Sequence, residues 1–311
     1  MSLSAFLGAI ESGLLMGIVA LAVYLSFRVL DFPDLTVDGS FALGGAVCAR
    51  LIVSGWHPVG ATGVALIAGA AAGYVTGVIN VKFKVVHMVA SMLTMVALYS
   101  VNIRIMSGPN QSLLGAETIF QTLRVFPIRN TYLVPLVFLV FVTATKLLLD
   151  YFLQTDLGLA LRATGENRRM ALANGIATGR MTILGIAMSN AMVAFAGALF
   201  AQNQGSADVS MGVGTLLTGL AAVIGGAALL PSRKIFRATL AIVLGSIAYQ
   251  LAVAVALRGS LLGLEASDVS IITAVLVLLA LVLPKSNRKW MGRPSVPRRP
   301  QPAPPQTSTG A

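Results

Sequence analysis

The chain opens with a long apolar run, FLGAIESGLLMGIVALAVYLSF at residues 6–27, in which Glu11 is the single charged residue. A helix needs about 20 apolar residues to cross the hydrocarbon of a bilayer, so this run predicts a membrane-spanning helix. Comparable runs predict further spans near residues 37–55, 60–81, 86–106, 131–149, 181–202, 213–230, 236–257 and 268–283. The pattern favours an all-α polytopic membrane protein with about 8–10 transmembrane helices, some short or broken.

The composition excludes a soluble enzyme. The 311 residues are 56% hydrophobic and 11% charged, with a mean hydropathy of +0.84. A soluble domain carries about 25% charged residues, because its surface must face water. The net charge of +11 therefore raises the question of which side of a bilayer the cations face. The single cysteine, Cys48, permits no internal disulfide.

Positive charges are distributed unevenly between the two sides that the nine spans define. The connections around 28–36, 82–85, 146–180, 231–237 and 284–311 carry 17 of the 22 Lys and Arg residues. The opposite side carries the other five, which are Arg50, Arg104, Arg124, Arg129 and Arg258. Because cytoplasmic loops are rich in Lys and Arg, we expect an N-terminus outside and a C-terminus in the cytoplasm of the cell's inner membrane.

Two regions differ in composition. Residues 1–283 form one predicted transmembrane domain, whose longest polar connection covers about 154–180. Residues 284–311 are basic and rich in proline, which predicts a disordered cytoplasmic tail. The first apolar run has neither a positive leader nor a small-residue cleavage site, so it is interpreted as a retained span.

Motifs of common enzymes are missing from the sequence. No lysine follows a glycine, so there is no Walker A site for ATP. No His-Glu-x-x-His or Gly-x-Ser-x-Gly motif occurs either. The only histidines, His57 and His87, fall at opposite predicted faces and are interpreted as interfacial residues rather than metal ligands. The sequence predicts neither a catalytic residue nor a metal site.

Glycines recur at four-residue spacing in two predicted spans. Gly13 and Gly17 form one pair, and Gly69, Gly73 and Gly77 form a longer stripe. Small residues at this interval let helix backbones approach closely in lipid. Packing inside the bundle is favoured, and a dimerisation face is the alternative.

The polar connection contains a pattern compatible with two short helices. Apolar residues recur from Leu159 to Ile176, and Gly165-Glu166-Asn167 would interrupt them. Glu166 or Asn167 would cap the second helix, and Gly175 would end it. A short helix that projects from a membrane bundle suits docking in a groove of a partner protein, although an ordinary interfacial loop is the alternative.

The same connection carries a family resemblance, G-x-A-x-R-A-x-x-x-N-x-x-x-A-x-x-x-G-I from Gly158 to Ile176. It resembles the coupling loop of ABC importer permeases, and it is closest to the branched-chain amino acid and ribose-type permease family. Further similar segments are Ala191–Phe200, Gln202–Gly205, Thr218–Gly226 and Phe32–Ala46, the last typical of an uncharacterised, amino-acid-type branch. Together the resemblance covers roughly residues 5–285.

The resemblance implies a function and a set of partners. The chain would be the permease subunit of an ATP-driven importer for an amino acid or similar small polar solute, and not itself an enzyme. It would bind no cofactor, since ATP and Mg²⁺ would sit on a partner ATPase. Other implied partners are a second permease copy in a homodimer, an extracytoplasmic solute-binding protein and membrane lipid, but no nucleic acid. The implied ATPase-coupling residues are Arg162, Gly165, Glu166, Asn167, Arg168, Ala171, Asn174, Gly175 and Ile176.

Polar residues inside spans suggest a solute path. Charges there are costly, and Glu11 and Asp38 are the acids nearest to span interiors. Gly39 and its polar neighbours suggest a broken helix, which often builds a transport site. Candidate path residues are Asp38, Ser40, Ser91, Thr94, Asn190, Gln202 and Asn203. For Ser91 and Thr94 the alternative is a hydrogen bond to their own helix, and for Glu11 a headgroup position.

A short internal match compares Asp34-Leu-Thr with Asp208-Val-Ser. Because the predicted topology puts these segments on opposite sides, the match is compatible with an inverted repeat, and equally with chance. Alternative functions are a self-sufficient secondary transporter or channel, which would need an intramembrane ion relay, and an exporter-like or signalling scaffold.

Overall fold

The computed structural model describes residues 3–122, 130–230, 232 and 234–256. Within them the chain is a bundle of α-helices with one small antiparallel pair of strands. The long helices are α1 (Leu3–Val23), α2 (Thr36–Val53), α3 (Pro58–Phe83), α4 (His87–Met106), α6 (Asn130–Gln154), α9 (Thr178–Gln204) and α11 (Ile235–Ala256). The shorter elements are β1 (Asn110–Ser112), α5 (Ile119–Thr122), α7 (Asp156–Glu166), α8 (Arg168–Ala173), β2 (Ser206–Asp208) and α10 (Thr215–Leu229).

Seven described helices are long and apolar enough to cross a membrane. The eighth apolar helix, α10, has 15 residues and a length of about 22 Å, which is less than the ~30 Å hydrocarbon core. These eight helices correspond to the first eight predicted spans, including the short one at 213–230. The ninth predicted span, 268–283, and the predicted tail, 284–311, lie outside the described residues.

Helices α2 and α9 form the centre of the bundle. Helix α2 packs against α3, α4 and α9, and its interior residues such as Phe41 are fully buried. The backbones of α2 and α9 touch, because a side chain at Gly44 would overlap the carbonyl oxygen of Ala194. A side chain at Gly197 would likewise overlap the carbonyl oxygen of Phe41. The two helix backbones are therefore in direct contact at these positions.

Both glycine stripes pack inside the bundle, which is the arrangement that the sequence favoured. Gly69 and Gly73 face Asn190 of α9, and Gly77 faces Ile183, where a β-carbon on the glycine would lie 2.9 Å from the Ile183 Cα. Gly13 of α1 meets Ile247 of α11 in the same manner. Small residues here allow helices to approach without a hydrophobic driving force between them.

The connection between α1 and α2, predicted at 28–36, is partly buried in the bundle, while its charged residues Arg28 and Asp31 are exposed. Helix α1 continues as a π-helix, Tyr24–Val29, and the chain then turns back into the bundle. Phe32 and Asp34 are 1% and 0% exposed. A π-helix widens the last turn, since Leu30 N–H bonds to Leu25 O five residues back.

The helix break itself also lies elsewhere than predicted. The non-helical stretch is at residues 30–35, where Asp31 adopts a left-handed φ of 55°. Gly39 and Ser40 instead lie inside a continuous α2. Gly39 is used for packing, because a β-carbon at this position would sit 3.1 Å from the Leu98 side chain of α4.

Lys146 was assigned to the cytoplasmic connection, and this too was wrong. Helix α6 extends to Gln154, so Lys146 lies two turns inside it and is 6% exposed. Its ammonium is neutralised by Asp150 one turn further along, which makes burial tolerable. The sequence did not indicate that Lys146 is buried, because the burial of its partner Asp150 was not apparent either.

Candidate functional site

The connection between α6 and α9 folds as the sequence predicted, into two short helices. Thr155 caps α7, accepting a hydrogen bond from Gly158 N–H at 3.3 Å. Asn167 caps α8, where its Oδ1 accepts from Met170 N–H at 3.1 Å. Side-chain caps of this kind satisfy amides that the first helical turn leaves unpaired. We call α7 and α8 together the α7–α8 loop.

Helix α8 ends at Ala173, and Gly175 terminates it two residues later, as predicted. Gly175 has a φ of 80° and donates to Leu172 O, and Ile176 N–H donates to Ala171 O, each at 3.0 Å. This pair of bonds is a Schellman motif, which favours glycine because it needs a left-handed residue. Asn174 adds a bond from its Nδ2 to Met170 O at 2.8 Å.

The α7–α8 loop has an anchored side and an exposed side. Leu161 and Ala171 are buried at 0% and 3% exposure and hold the loop against the bundle. Met170 and Leu172 are 60% and 54% exposed. The flanking side chains of Arg168 and Arg169 are exposed as well. Arg169, Met170 and Leu172 were not among the predicted coupling residues. The structure exposes them because they point away from the side of α8 on which Ala171 packs against the bundle.

Some of the predicted coupling residues attach the α7–α8 loop to the neighbouring helices. Arg162 donates from Nη1 to Leu153 O at 3.3 Å, which fastens α7 to the end of α6. Gly165 sits against Val29 and Leu30, where a side chain would overlap the Val29 carbonyl. Ile176 is half-buried behind α8. The loop therefore stands on α6 on one side and on the π-helical end of α1 on the other.

Asp38, the first predicted path residue, meets the beginning of α10. Its carboxylate accepts hydrogen bonds from Gly214 N–H at 3.2 Å, Leu216 N–H at 2.8 Å and the Thr215 hydroxyl at 2.9 Å. Unpaired N–H groups and the helix dipole both favour a negative charge at this end. Asp38 thus acts as a cap supplied by another helix, 176–178 positions away in sequence.

The predicted hydroxyls make local bonds. Ser91 donates to His87 O at 3.0 Å and Thr94 to Ala90 O at 3.1 Å, each one turn back in α4. Both follow the alternative that the sequence left open. Ser40 is different, because its buried Oγ has no hydrogen-bond partner among the residues that the structure describes.

Asn190 meets a buried carboxylate that the sequence had marked only as part of a short repeat. Its Nδ2 donates to Asp34 Oδ2 at 2.6 Å, and Asp34 Oδ1 accepts from Thr36 N–H at 2.9 Å. The Thr36 hydroxyl lies 3.1 Å from that of Thr76. This network joins α2, α3 and α9 near the middle of α9, and no cation pairs with Asp34 in the described part of the chain.

Gln202 and Asn203 lie at the other end of α9. Gln202 donates to the Thr62 hydroxyl at 2.8 Å and accepts from Ile119 N–H at 3.1 Å. Asn203 donates to Glu11 Oε1 at 2.5 Å, so the Glu11 carboxylate is bonded to the last turn of α9. Both amides, with Thr118 and others, line a cavity of about 190 Å³.

Asp34 and Asp208 share a local geometry. Each carboxylate accepts from the backbone N–H two residues on, Thr36 and Ser210, at 2.9 and 2.7 Å. Hydrogen bonds from Ser210 hold the pKa of the half-buried Asp208 below its usual value. Asp208 ends β2, which pairs with β1 and ties the ends of α4 and α9 together. No group of three His, Cys, Asp or Glu that could hold a metal ion occurs within residues 3–122, 130–230 and 234–256.

A helical bundle with seven membrane-spanning candidates is a multi-pass membrane protein, and comparison with known proteins gives its class. The family model described as "Branched-chain amino acid transport system / permease component" matches residues 6–283, and the chain belongs to this family of ABC-type transport permeases.

Two curated relatives cover most of the chain. The tyrosine transport system permease protein of Clostridioides difficile is 37% identical over 295 residues, which are 92% of this chain and 96% of the relative. The ribose import permease protein RbsC of Escherichia coli K12 is 30% identical over 268 residues, 82% of this chain and 77% of the relative.

One solved structure shares the fold. It is PsaBC from Streptococcus pneumoniae in complex with Fab, with a TM-score of 0.52, 17% identity and coverage of 91% of this chain and 92% of that chain. At this identity the likeness concerns the fold alone.

Proposed function

We propose that this chain is the membrane subunit of an ATP-driven importer, in which a separate ATPase binds the α7–α8 loop. The observation that carries the proposal is the form of the loop. Two apolar side chains, Met170 and Leu172, are exposed on either side of the buried Ala171 and beside charged neighbours, on a helix whose two ends are both capped. Exposed apolar side chains give affinity in a groove, and flanking charges set orientation. ATP and Mg²⁺ would belong to the ATPase.

The proposed solute is an amino acid or a similar small polar molecule. Support comes from the tyrosine transport permease, which matches over more of this chain, and at higher identity, than the ribose permease does. The remaining proposed partners are a second copy of this chain and an extracytoplasmic solute-binding protein. In this arrangement the α7–α8 loop lies on the cytoplasmic side of the inner membrane and the N-terminus lies outside, as the distribution of cations favours.

The test uses the chain copurified with its ATPase and reconstituted in liposomes. We expect ATP-dependent uptake from a panel of labelled amino acids including tyrosine, with ribose as the comparison solute. Arg168→Ala combined with Met170→Ser should reduce ATPase binding about tenfold or more, which is the scale of a hot-spot residue in an interface. Arg104→Ala is the matched control, since Arg104 is exposed at the far end of α4.

One observation bears on the alternative of a self-sufficient secondary transporter. The structure supplies an intramembrane pair, Lys146 and Asp150, that the sequence did not indicate. However, the two charges neutralise each other at 2.5 Å, which leaves neither free to carry an ion. Uptake by liposomes that contain this chain alone, without an ATPase, would establish the alternative and overturn the proposal.

A further inference from the structure

The buried ion pair on α6 belongs to a cluster that joins two helices. Lys146 and Asp150 lie one turn apart, and their side chains are 7% and 5% exposed. From α11, the Thr239 hydroxyl donates to Asp150 Oδ1 at 2.7 Å. The ring of Phe236 lies under the Lys146 ammonium, 3.6 Å from its centre. We call these four residues the α6–α11 clamp.

Burying the two charges of the clamp costs free energy, so the presence of the pair needs an explanation. Taking two charges out of water costs several kcal/mol per ion, and a buried pair can often be replaced by apolar side chains without loss of stability. An apolar contact would therefore serve equally well if the only need were to hold α6 against α11. Directional bonds differ from apolar contacts in fixing one relative position of two helices.

On one side the clamp is connected to the α7–α8 loop. Asp150 lies one turn before the end of α6, and α7 follows after Thr155 alone. The joint is tight, because a side chain at Gly158 would overlap the carbonyl oxygen of Phe152. Thr155 and Arg162 add hydrogen bonds back to Phe152 O and Leu153 O. Movement of α7 must therefore move the end of α6.

On the other side the clamp is connected to the centre of the bundle. Helix α11 packs mainly on α1 and α10 and touches α6 over a short stretch. Its contact with α10 is backbone to backbone, since a β-carbon at Gly245 would lie 2.6 Å from Gly226 N. Helix α10 then begins at Asp38 of α2. A continuous series of close contacts thus leads from the loop to the central helix.

We propose that Asp150 and Thr239, with Lys146 and Phe236, are positioning residues that pass motion of the α7–α8 loop from α6 to α11, and through α10 to α2. The inference rests on the proposed function, since it assumes that an ATPase moves the loop. It assigns these residues no contact with solute. Their role is to keep α6 and α11 in one fixed relation while both move.

The experiment measures solute taken up per ATP hydrolysed by the reconstituted complex. Thr239→Val keeps the shape but removes the hydroxyl, and we expect the ratio to fall about tenfold, the factor that corresponds to losing one hydrogen bond to a charged group. ATP hydrolysis itself should continue. Thr239→Ser should restore the ratio, because it restores the donor. Thr145→Val is the matched control, since the Thr145 hydroxyl bonds to Phe141 O in its own helix.

A second variant keeps the test independent of folding. Lys146→Met with Asp150→Leu replaces the pair by apolar side chains, so the protein should remain as stable as the original. We expect it to hydrolyse ATP and still transport poorly. If either folded variant keeps the normal ratio, or if both lose ATP hydrolysis and thermal stability in parallel, the clamp is structural only and the inference fails. If the unaltered complex shows no ATP-driven uptake, the proposed function itself fails.

Discussion

The α7–α8 loop and the first residues of α2 both contain polar side chains that fix helices in place, but their bonds span very different distances in sequence. In the loop, Thr155 and Asn167 bond to amides three residues away. At α2, Asp38 bonds to amides of α10 that are 176 and 178 positions away, and Asp34 bonds to Asn190, 156 positions away. Local caps shape an exposed loop, whereas the long-range bonds hold helices of the bundle together.

This contrast predicts that changes near α2 affect stability and that changes in the loop affect coupling. The largest expected effect is at the contact between α2 and α9. Gly44→Val would drive a side chain into the Ala194 carbonyl and should destabilise the protein by at least about 3 kcal/mol, because a packed backbone contact cannot relax. The measurement is the yield of monodisperse protein and its unfolding temperature in detergent.

Gly63→Val is the control for that prediction. Gly63 is exposed on α3 with nothing within 4 Å of its β-carbon position. A similar loss of folded protein for both variants would show that valine in any helix is harmful, and that the α2–α9 contact has no special role.

The next effect concerns Asp38. Asp38→Ala removes the acceptor of three hydrogen bonds at the start of α10 and should cost about 2–3 kcal/mol, the range for bonds to a charged group. Asp38→Asn should cost less, because its amide oxygen still accepts. Thermal unfolding in detergent measures both, with Asp156→Ala as a control at an exposed acid that should change stability by about 0.5 kcal/mol or less.

Equal losses for Asp38→Ala and Asp156→Ala would contradict the role of Asp38 as a cap between helices. A loss of transport with unchanged stability in Asp38→Asn would instead indicate that the carboxylate contacts solute, as its position among the candidate path residues suggested.

The smallest effect on stability is expected in the loop. Asn167→Ala removes the cap of α8 and should cost about 1 kcal/mol, confined to that helix. Hydrogen exchange should therefore become faster at Met170 and its neighbours, while the unfolding temperature of the bundle stays unchanged. Asn167→Ser keeps a capping oxygen and should restore protection. Faster exchange throughout α9 as well would mean that the loop is not an independent unit.

The same contrast explains which parts of the structure could be predicted. Asn167 and Gly175 were recognised in the loop because caps and left-handed glycines have signatures within a few residues. The membrane spans were recognised because burial in lipid requires long apolar runs. The burial of Phe32 and Asp34 after the π-helical end of α1 was missed, since the charged neighbours Arg28 and Asp31 indicate a connection outside the bundle.

The polar interior was predicted only in part. The residue types Asn190, Gln202 and Asp38 are costly at membrane depth, so their sequence position alone placed them inside the bundle. Their partners, such as Asp34 and Gly214, lie far away in sequence, so no local sequence pattern indicates these bonds. The clamp was missed for the same reason, because Thr239 is an ordinary helix residue until α11 is packed beside Asp150.

The sequence by itself determined that this chain resides in a membrane, which segments are apolar enough to cross it and where a capped loop projects. These properties follow from the free-energy cost of exposing backbone and charge to hydrocarbon. Each residue contributes its own part of that cost, so it can be read from the sequence. Only the tertiary structure decided which carboxylate caps which helix, which glycines face α9 and which residues of α11 meet the ion pair of α6. Those pairings depend on the relative placement of whole helices, and helices distant in sequence are brought together by packing.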